Sequence, residues 1–195
     1  MRYEKGRKDT SRNRIMEVAA ERFRRDGIAA SGLANVMSDA GLTNGAFYSH
    51  FQSKADLVRE CVAVALDDQT QRMTETIAAG GPELAMAAYL SPESRDNPDK
   101  SCALAALLPE LARQPLEARA VYAERFQALV DKIIETLPSD RKVQDEVVFG
   151  VYSTLVGALQ LARATAGTEM SDRILKAGID AAQTLILARR GGVMS

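Results

Sequence analysis

The stretch Ala40-Gly41-Leu42-Thr43-Asn44-Gly45-Ala46-Phe47-Tyr48-Ser49-His50-Phe51 decides how this chain is read. Gly41 stands where a left-handed turn closes a preceding helix, because glycine adopts positive φ without a Cβ penalty. Leu42 then tucks inward, and Thr43 can cap a third short helix whose Phe47 and Phe51, four apart, share one face. Asn44, Ala46, Tyr48 and Ser49 are left on other faces. Just upstream, Ser31 can cap a short helix carrying Leu33, Val36, Met37 and Ala40. Two short helices joined by a glycine-containing turn make a helix-turn-helix.

The same periodicity extends in both directions. Ile15, Val18, Ala19 and Phe23 recur at the spacing of one helix face, with Asp9 or Thr10 as the expected cap and Gly27 as the stop. Ser53 with Asp56 reads as a capping box in which Asp replaces the usual Glu. It opens a long fourth helix through Leu57, Cys61, Val64 and Ile77 that Gly80-Gly81-Pro82 stops. Residues 91–100, polar and with two prolines, read as a loop, followed by an apolar run from Cys102 to Leu111 interrupted by Pro109. A further helix is expected from Pro115 to about Leu137, and two more over roughly 141–166 and 171–190. No segment alternates as a strand would. The expected fold is all-α with about nine helices. An N-terminal three-helix helix-turn-helix domain, residues 1–56, is joined by the long helix to a C-terminal helical domain, residues 57–195.

Composition narrows the function. With 46% apolar and 26% charged residues the chain falls in the soluble globular class. A net charge of −1 conceals a basic front, since residues 1–25 carry nine Lys and Arg against four Asp and Glu, which favours approach to a polyanion. Cys61 and Cys102 stand 41 positions apart with no histidine near either, so neither a metal site nor a disulfide framework is expected. The single histidine, His50, lies inside the helix-turn-helix, and no glycine-rich phosphate loop occurs. The residues therefore argue against an enzyme and against a cofactor. Residues 1–8 lack the apolar core of a secretory signal. The uncharged run from Val147 to Ala162 is 16 residues long. That is short of the roughly 20 needed to span a bilayer. It reads as a buried or interface helix of a cytoplasmic protein with no membrane partner.

The quoted stretch, followed by Ser53, Lys54 and Leu57, resembles the helix-turn-helix signature of the TetR family of bacterial transcriptional regulators. Arg14-Ile15, Ala19, Phe23 and Gly27 also fall where that family's pattern expects them, so the resemblance covers roughly Ile15 to Leu57. It implies a ligand-responsive homodimer that binds double-stranded operator DNA, most simply a repressor released by a small, largely apolar effector. The third helix would then lie in the major groove with Asn44, Gly45 and Ala46 nearest the base edges. Asn44 can donate and accept at once, which suits adenine N6 and N7, while the Ala46 methyl suits a thymine methyl. By the same resemblance Ser31, Thr43, Tyr48, His50 and Lys54 would contact phosphates, with Ser49 beside them. Met86, Tyr89, Leu104, Leu107, Phe126, Phe149 and Tyr152 are candidate walls of the effector pocket.

Assembly and alternatives complete the reading. Gly150 and Gly157, seven apart, suggest close helix approach. The segment that holds them, with a last helix carrying Ile174, Leu175, Ala181, Leu185 and Ile186, is expected to pair with its two-fold copy in a four-helix interface. One alternative keeps the DNA binding and makes oxidation of Cys102 or Cys61 the switch. Another is a helical module that binds protein, which the polar outer face of the third helix disfavours because docking helices carry apolar anchors.

Overall fold

A computed structural model describes the backbone of residues 2–98, 101–139 and 143–191, and the side chains of these positions outside 2–8, 103–104 and 189–191. Among the described residues there are nine α-helices and no strands. The chain divides into two compact units. Unit one holds the chain up to Ala65 together with Ala106–Glu124, and unit two holds Leu66–Ala105 with the chain from Arg125 onward.

Unit one begins with α1 (Arg2–Asp26), which starts well before Asp9 and Thr10. The expected caps lie inside it because Glu4, Lys5, Arg7 and Lys8 are good helix formers and no proline intervenes. Its buried face is Ile15, Val18, Ala19 and Phe23. Gly27, at φ +87°, ends it, its N–H donating to Phe23 O at 3.0 Å. α2 (Leu33–Asp39) buries Val36 and Met37, but its cap residue is Gly32 and not Ser31. The Ser31 hydroxyl donates instead to Gly27 O at 2.7 Å. α2 closes in a Schellman turn: Leu42 N–H reaches Met37 O at 2.9 Å and Gly41 N–H reaches Ser38 O at 3.0 Å, with Gly41 at φ +72°.

α3 (Asn44–Phe47) is a single turn, continued by bonds from Ser49 N–H to Ala46 O and from Phe51 N–H to Phe47 O. Such a short helix has no stability of its own. Packing holds it, because Phe47 and Phe51 are both buried, stacked at 5.5 Å, and each such burial stabilises by about 1.5–3 kcal/mol. α4 (Lys54–Tyr89) opens as expected, with Asp56 N–H donating to Ser53 Oγ at 3.1 Å. The Asp56 carboxylate reciprocates on Gln52 N–H at 3.0 Å, one residue earlier than in the standard box. Arg12 joins α1 to α4 through Glu60 and lies 5.0 Å from the Phe51 ring centre.

Unit two contains the rest of α4, which is broken where Gly80 (φ −155°) and Gly81 (φ +81°) leave helical dihedrals ahead of Pro82. The expected loop over 91–100 contains a helix, α5 (Pro92–Asp96), because Ser91 Oγ accepts from Ser94 N–H at 3.1 Å and Pro92 suits a first helical position. α6 (Ala103–Leu111) and α7 (Leu116–Thr136) each contribute residues to both units. α8 (Asp145–Ala164) and α9 (Glu169–Gly191) pack along each other. They come close at Gly178, where an added Cβ would stand 2.5 Å from Ala158 Cβ. Neither Gly150 nor Gly157 occupies that place.

Two glycines of unit one separate conformational from steric cost. Gly41 has nothing within 4 Å of an added Cβ, whereas at Gly27 that Cβ would stand 2.5 Å from Glu110 Oε1. Gly41→Ala should therefore lower the unfolding free energy by about 1–2 kcal/mol, the cost of a left-handed residue alone. Gly27→Ala should cost more. Urea unfolding followed by circular dichroism checks the order, and equal losses would contradict it.

Candidate functional site

With Phe47 and Phe51 pinned inward, the polar residues of the turn face out. Thr43, Asn44, Gly45, Tyr48 and Ser49 are exposed, while Ala46 and His50 are half-buried. Thr43 has cap dihedrals (φ −80°, ψ 152°) yet makes no side-chain capping bond, so its hydroxyl is not committed to the helix end. Tyr48 is 70% exposed and its ring stands edge-on to Phe47 at 5.2 Å, which fixes the ring and leaves the hydroxyl outside. A Cβ at Gly45 would meet nothing within 4 Å, so the chain's own packing does not call for glycine there. Ser49 Oγ donates its proton to Ala46 O at 2.7 Å and is left with acceptor capacity only, which suits a phosphate poorly. His50 packs beside Phe51 at 6.4 Å between ring centres.

Two of the expected phosphate contacts have other work. Ser31 is fully buried, so its hydroxyl cannot reach a phosphate in this conformation, and that assignment is corrected. The Lys54 amine donates to Ile28 O, which ties the start of α4 to the loop after α1 and engages one of its three protons. That loop is also held from far along the chain. Glu110 Oε2 accepts from Ala29 N–H at 2.7 Å, 81 residues away in sequence. Lys54, Glu110 and Arg113 line a cavity of about 260 Å³ beside it.

In unit two, Met86 and Tyr152 line an apolar cavity of about 50 Å³, together with Met73, Ala85, Leu155 and Ile186. Tyr152 is the hub of an aromatic cluster, with Tyr89 at 5.8 Å and Phe126 at 5.2 Å, and Phe126 stacks on Phe149 at 6.0 Å. The structure thus brings five of the seven candidate pocket residues together, although Tyr89, Phe126 and Phe149 do not line this cavity. Leu107 is buried in unit one and leaves the set, a correction that follows from the chain dividing within α6. The Leu104 side chain lies outside the described residues. A second cavity, about 220 Å³ and lined by polar side chains including Gln69, Arg72, Tyr89 and Ser101, has no counterpart in the sequence pattern. Its residues come from three separated segments, and no short motif could have announced it.

The exposed faces of α8 and α9 form one further surface. On α8 the exposed positions Ser153, Gly157, Leu161 and Ala164 follow one stripe, opposite the buried Val148, Tyr152, Leu155 and Leu159. On α9, Met170, Ala177, Ala181, Leu185 and Ala188 do the same. Leu175 is buried within the chain and Ile186 lines the apolar cavity, so these two do not belong to the outer stripe. α8 is long and apolar enough to cross a membrane by length and composition alone, and its Val148, Tyr152, Leu155 and Leu159 face is buried within the chain.

Chemistry for catalysis or metal binding is sparse. Among the described residues no group of His, Cys, Asp or Glu could hold a metal ion. Both cysteines are free and buried, and Cys102 Sγ lies 3.7 Å from the Tyr152 hydroxyl. Burial pushes the Cys61 thiol up to about 12. It is therefore held protonated at neutral pH, and the thiol form is a poor nucleophile. Peptide mapping after treatment of the folded chain with an aromatic disulfide reagent at pH 7 should find Cys61 unmodified until urea unfolds the protein. Rapid labelling of native Cys61 would contradict its burial.

Residues 15–61 match the model of the N-terminal domain of the "Bacterial regulatory proteins, tetR family". The "HTH-type transcriptional repressor KstR2" of Rhodococcus jostii (strain RHA1) is 32% identical over 73 residues, which cover 37% of this chain and 36% of that repressor's length. An "Uncharacterized HTH-type transcriptional regulator YfiR" of Bacillus subtilis (strain 168) is 26% identical over 141 residues, covering 67% of this chain and 69% of the relative. The crystal structure of a TetR family regulator from Agrobacterium tumefaciens superposes with a TM-score of 0.70 at 20% identity, over 89% of this chain and 97% of that one. The front motif and these likenesses agree: residues 15–61 are similar to the N-terminal helix-turn-helix domain of the TetR family of bacterial regulatory proteins, and the helical fold of the chain is similar to that of solved TetR-family structures.

Proposed function

We propose that this chain is a cytoplasmic transcriptional repressor that binds operator DNA as a homodimer and is released by a small, largely apolar effector. The observation that carries the reading is the exposed polar surface over Thr43, Asn44, Gly45 and Tyr48, backed by the buried pair Phe47 and Phe51. Asn44 is the base reader and Ala46 the thymine contact. Gly45 lets the backbone approach, and Thr43 and Tyr48 donate to phosphates. His50 and Lys54 stand at the rim, where Lys54 adds positive charge while holding the loop after α1. The match of residues 15–61 to the N-terminal domain of the TetR family supports the same assignment.

The α8 and α9 stripes pair with their two-fold copies. A homodimer then presents two recognition turns to half-sites about one DNA turn, roughly 34–36 Å, apart. An effector in the cavity under Tyr152 weakens DNA binding when it prefers a conformation with another spacing. A 100-fold preference corresponds to about 2.7 kcal/mol, within the usual range of allosteric coupling. α4 is the proposed lever, since it supplies residues to both units.

Duplexes selected by the full chain from a random pool provide the test. Asn44→Ala should relax preference at one base pair by about 1–3 kcal/mol, whereas Tyr48→Phe should weaken all sequences evenly. Equal loss of selectivity in both variants would contradict these roles, and the absence of any salt-dependent binding would remove the reading. For assembly, nothing in the chain lies within 4 Å of a Cβ at Gly157. Gly157→Arg should therefore leave the circular dichroism unchanged yet produce monomers at micromolar concentration by light scattering. A variant that stays dimeric would place the interface elsewhere.

A further inference from the structure

The two cavities of unit two share walls. Met73 and Ala85 line both the apolar cavity beneath Tyr152 and the larger polar one. Met73 is buried, unbranched and flexible, the kind of side chain that can swing aside without breaking a hydrogen bond. What distinguishes the polar cavity is its charge. Arg72 lines it, its guanidinium bonded to neighbouring Gln69 Oε1 at 3.2 Å. Arg163 stands behind its wall, with Nη2 donating to Ser94 O at 2.9 Å and to Ser101 Oγ, and both serines line the cavity.

Neither arginine has a carboxylate partner among the described residues. Arg95 and Arg125 of the same unit do, pairing with Asp172 and Asp67. Arg163 is also half-buried, and its Nε is buried without a hydrogen-bond partner. Burial pulls its pKa below the usual guanidinium value, the sign of a cation whose desolvation is not offset in full. A half-buried charge without a counter-ion destabilises the chain that holds it, and an anion bound beside it removes that penalty. Ser101 Oγ already donates to Pro98 O at 3.3 Å, so the donors suited to a carboxylate here are the two arginines, and a charge-assisted bond to a guanidinium is about twice as strong as a neutral one.

We propose that the effector is an amphipathic anion, with a carboxylate head in the polar cavity at Arg72, near the Arg163 charge behind the wall, and an apolar body that passes Met73 into the cavity under Tyr152. The inference rests on reading unit two as the effector-binding unit and narrows its ligand from apolar compounds in general to organic acids.

Calorimetry on the full chain with 4-phenylbutyrate, 4-phenylbutanol and 4-phenylbutylamine tests it, since the three share a body and differ in the head. The acid should bind at least about tenfold more tightly than the alcohol, and the amine more weakly than either. Arg163→Gln should bring the acid down to the alcohol's affinity and leave the alcohol unchanged, with Arg163→Lys recovering part of the loss. Because Arg163 also holds Ser94 and Ser101, the exposed Arg72→Gln serves as a second variant, expected to weaken the acid alone. Equal binding of acid and alcohol, equal loss of both in Arg72→Gln, or no binding of any of the three at millimolar concentration would overturn the proposal. Duplex release is measured separately. An acid that binds through these arginines without changing DNA affinity upholds this site and removes effector release, whereas an alcohol that binds equally and releases DNA does the reverse.

Discussion

Everything proposed for the front of this molecule depends on the burial of Phe47 and Phe51. The single turn of α3 is far below the length at which a helix holds itself together, so its geometry is imposed by two rings stacked in the core of unit one. Once they are fixed, Tyr48 has nowhere to go but outward, and Thr43, Asn44 and Gly45 form the leading edge of the same turn. The Schellman turn at Gly41 sets where that edge begins, because a left-handed residue there redirects the chain within one peptide. A polar surface of this kind is rigid for apolar reasons. Pre-organisation lowers the entropy lost on docking, which suits the base-reading role proposed for this surface.

The second constraint is the loop between α1 and α2. It is held from three sides: by the Ser31 hydroxyl on Gly27 O, by the Lys54 amine on Ile28 O, and by the Glu110 carboxylate on Ala29 N–H. Side chains that could have met a phosphate spend hydrogen bonds on this loop instead. The result is a small domain whose α2–α3 turn is fixed by contacts beyond its own hydrophobic core, including a segment, Ala106–Glu124, from the middle of the chain. In unit two the balance is reversed. Arg95 and Arg125 are paired with carboxylates, while Arg72 in the wall of a cavity and Arg163 behind it have none among the described residues, a local cost of the kind that binding sites carry.

How far this was legible in the sequence differs with the range of the interaction. Helix faces such as Ile15, Val18, Ala19 and Phe23, the Gly41 turn and the Ser53 cap rest on neighbours within a few residues, and the structure has each of them as read. Short-range competition explains the first set of errors. Ser31 can cap a helix, but it can also donate to a carbonyl four residues back, and here it does the latter. Ser91 beside Pro92 was a capping signal hidden by the polar composition around it. Long-range pairings left no trace, as Glu110 reaching Ala29 and Arg163 reaching Ser101 follow no periodicity. The polar cavity belongs to this class, and so does the placement of Leu107 in unit one.

The proposal that the turn over residues 43–49 meets DNA has a direct test. Amide hydrogen exchange of the full chain, with and without a duplex selected by it from a random pool, measures this directly. Slowed exchange is expected in peptides covering 43–51, with little change over α8. Unaltered exchange across 43–51, with protection appearing only elsewhere, would contradict it.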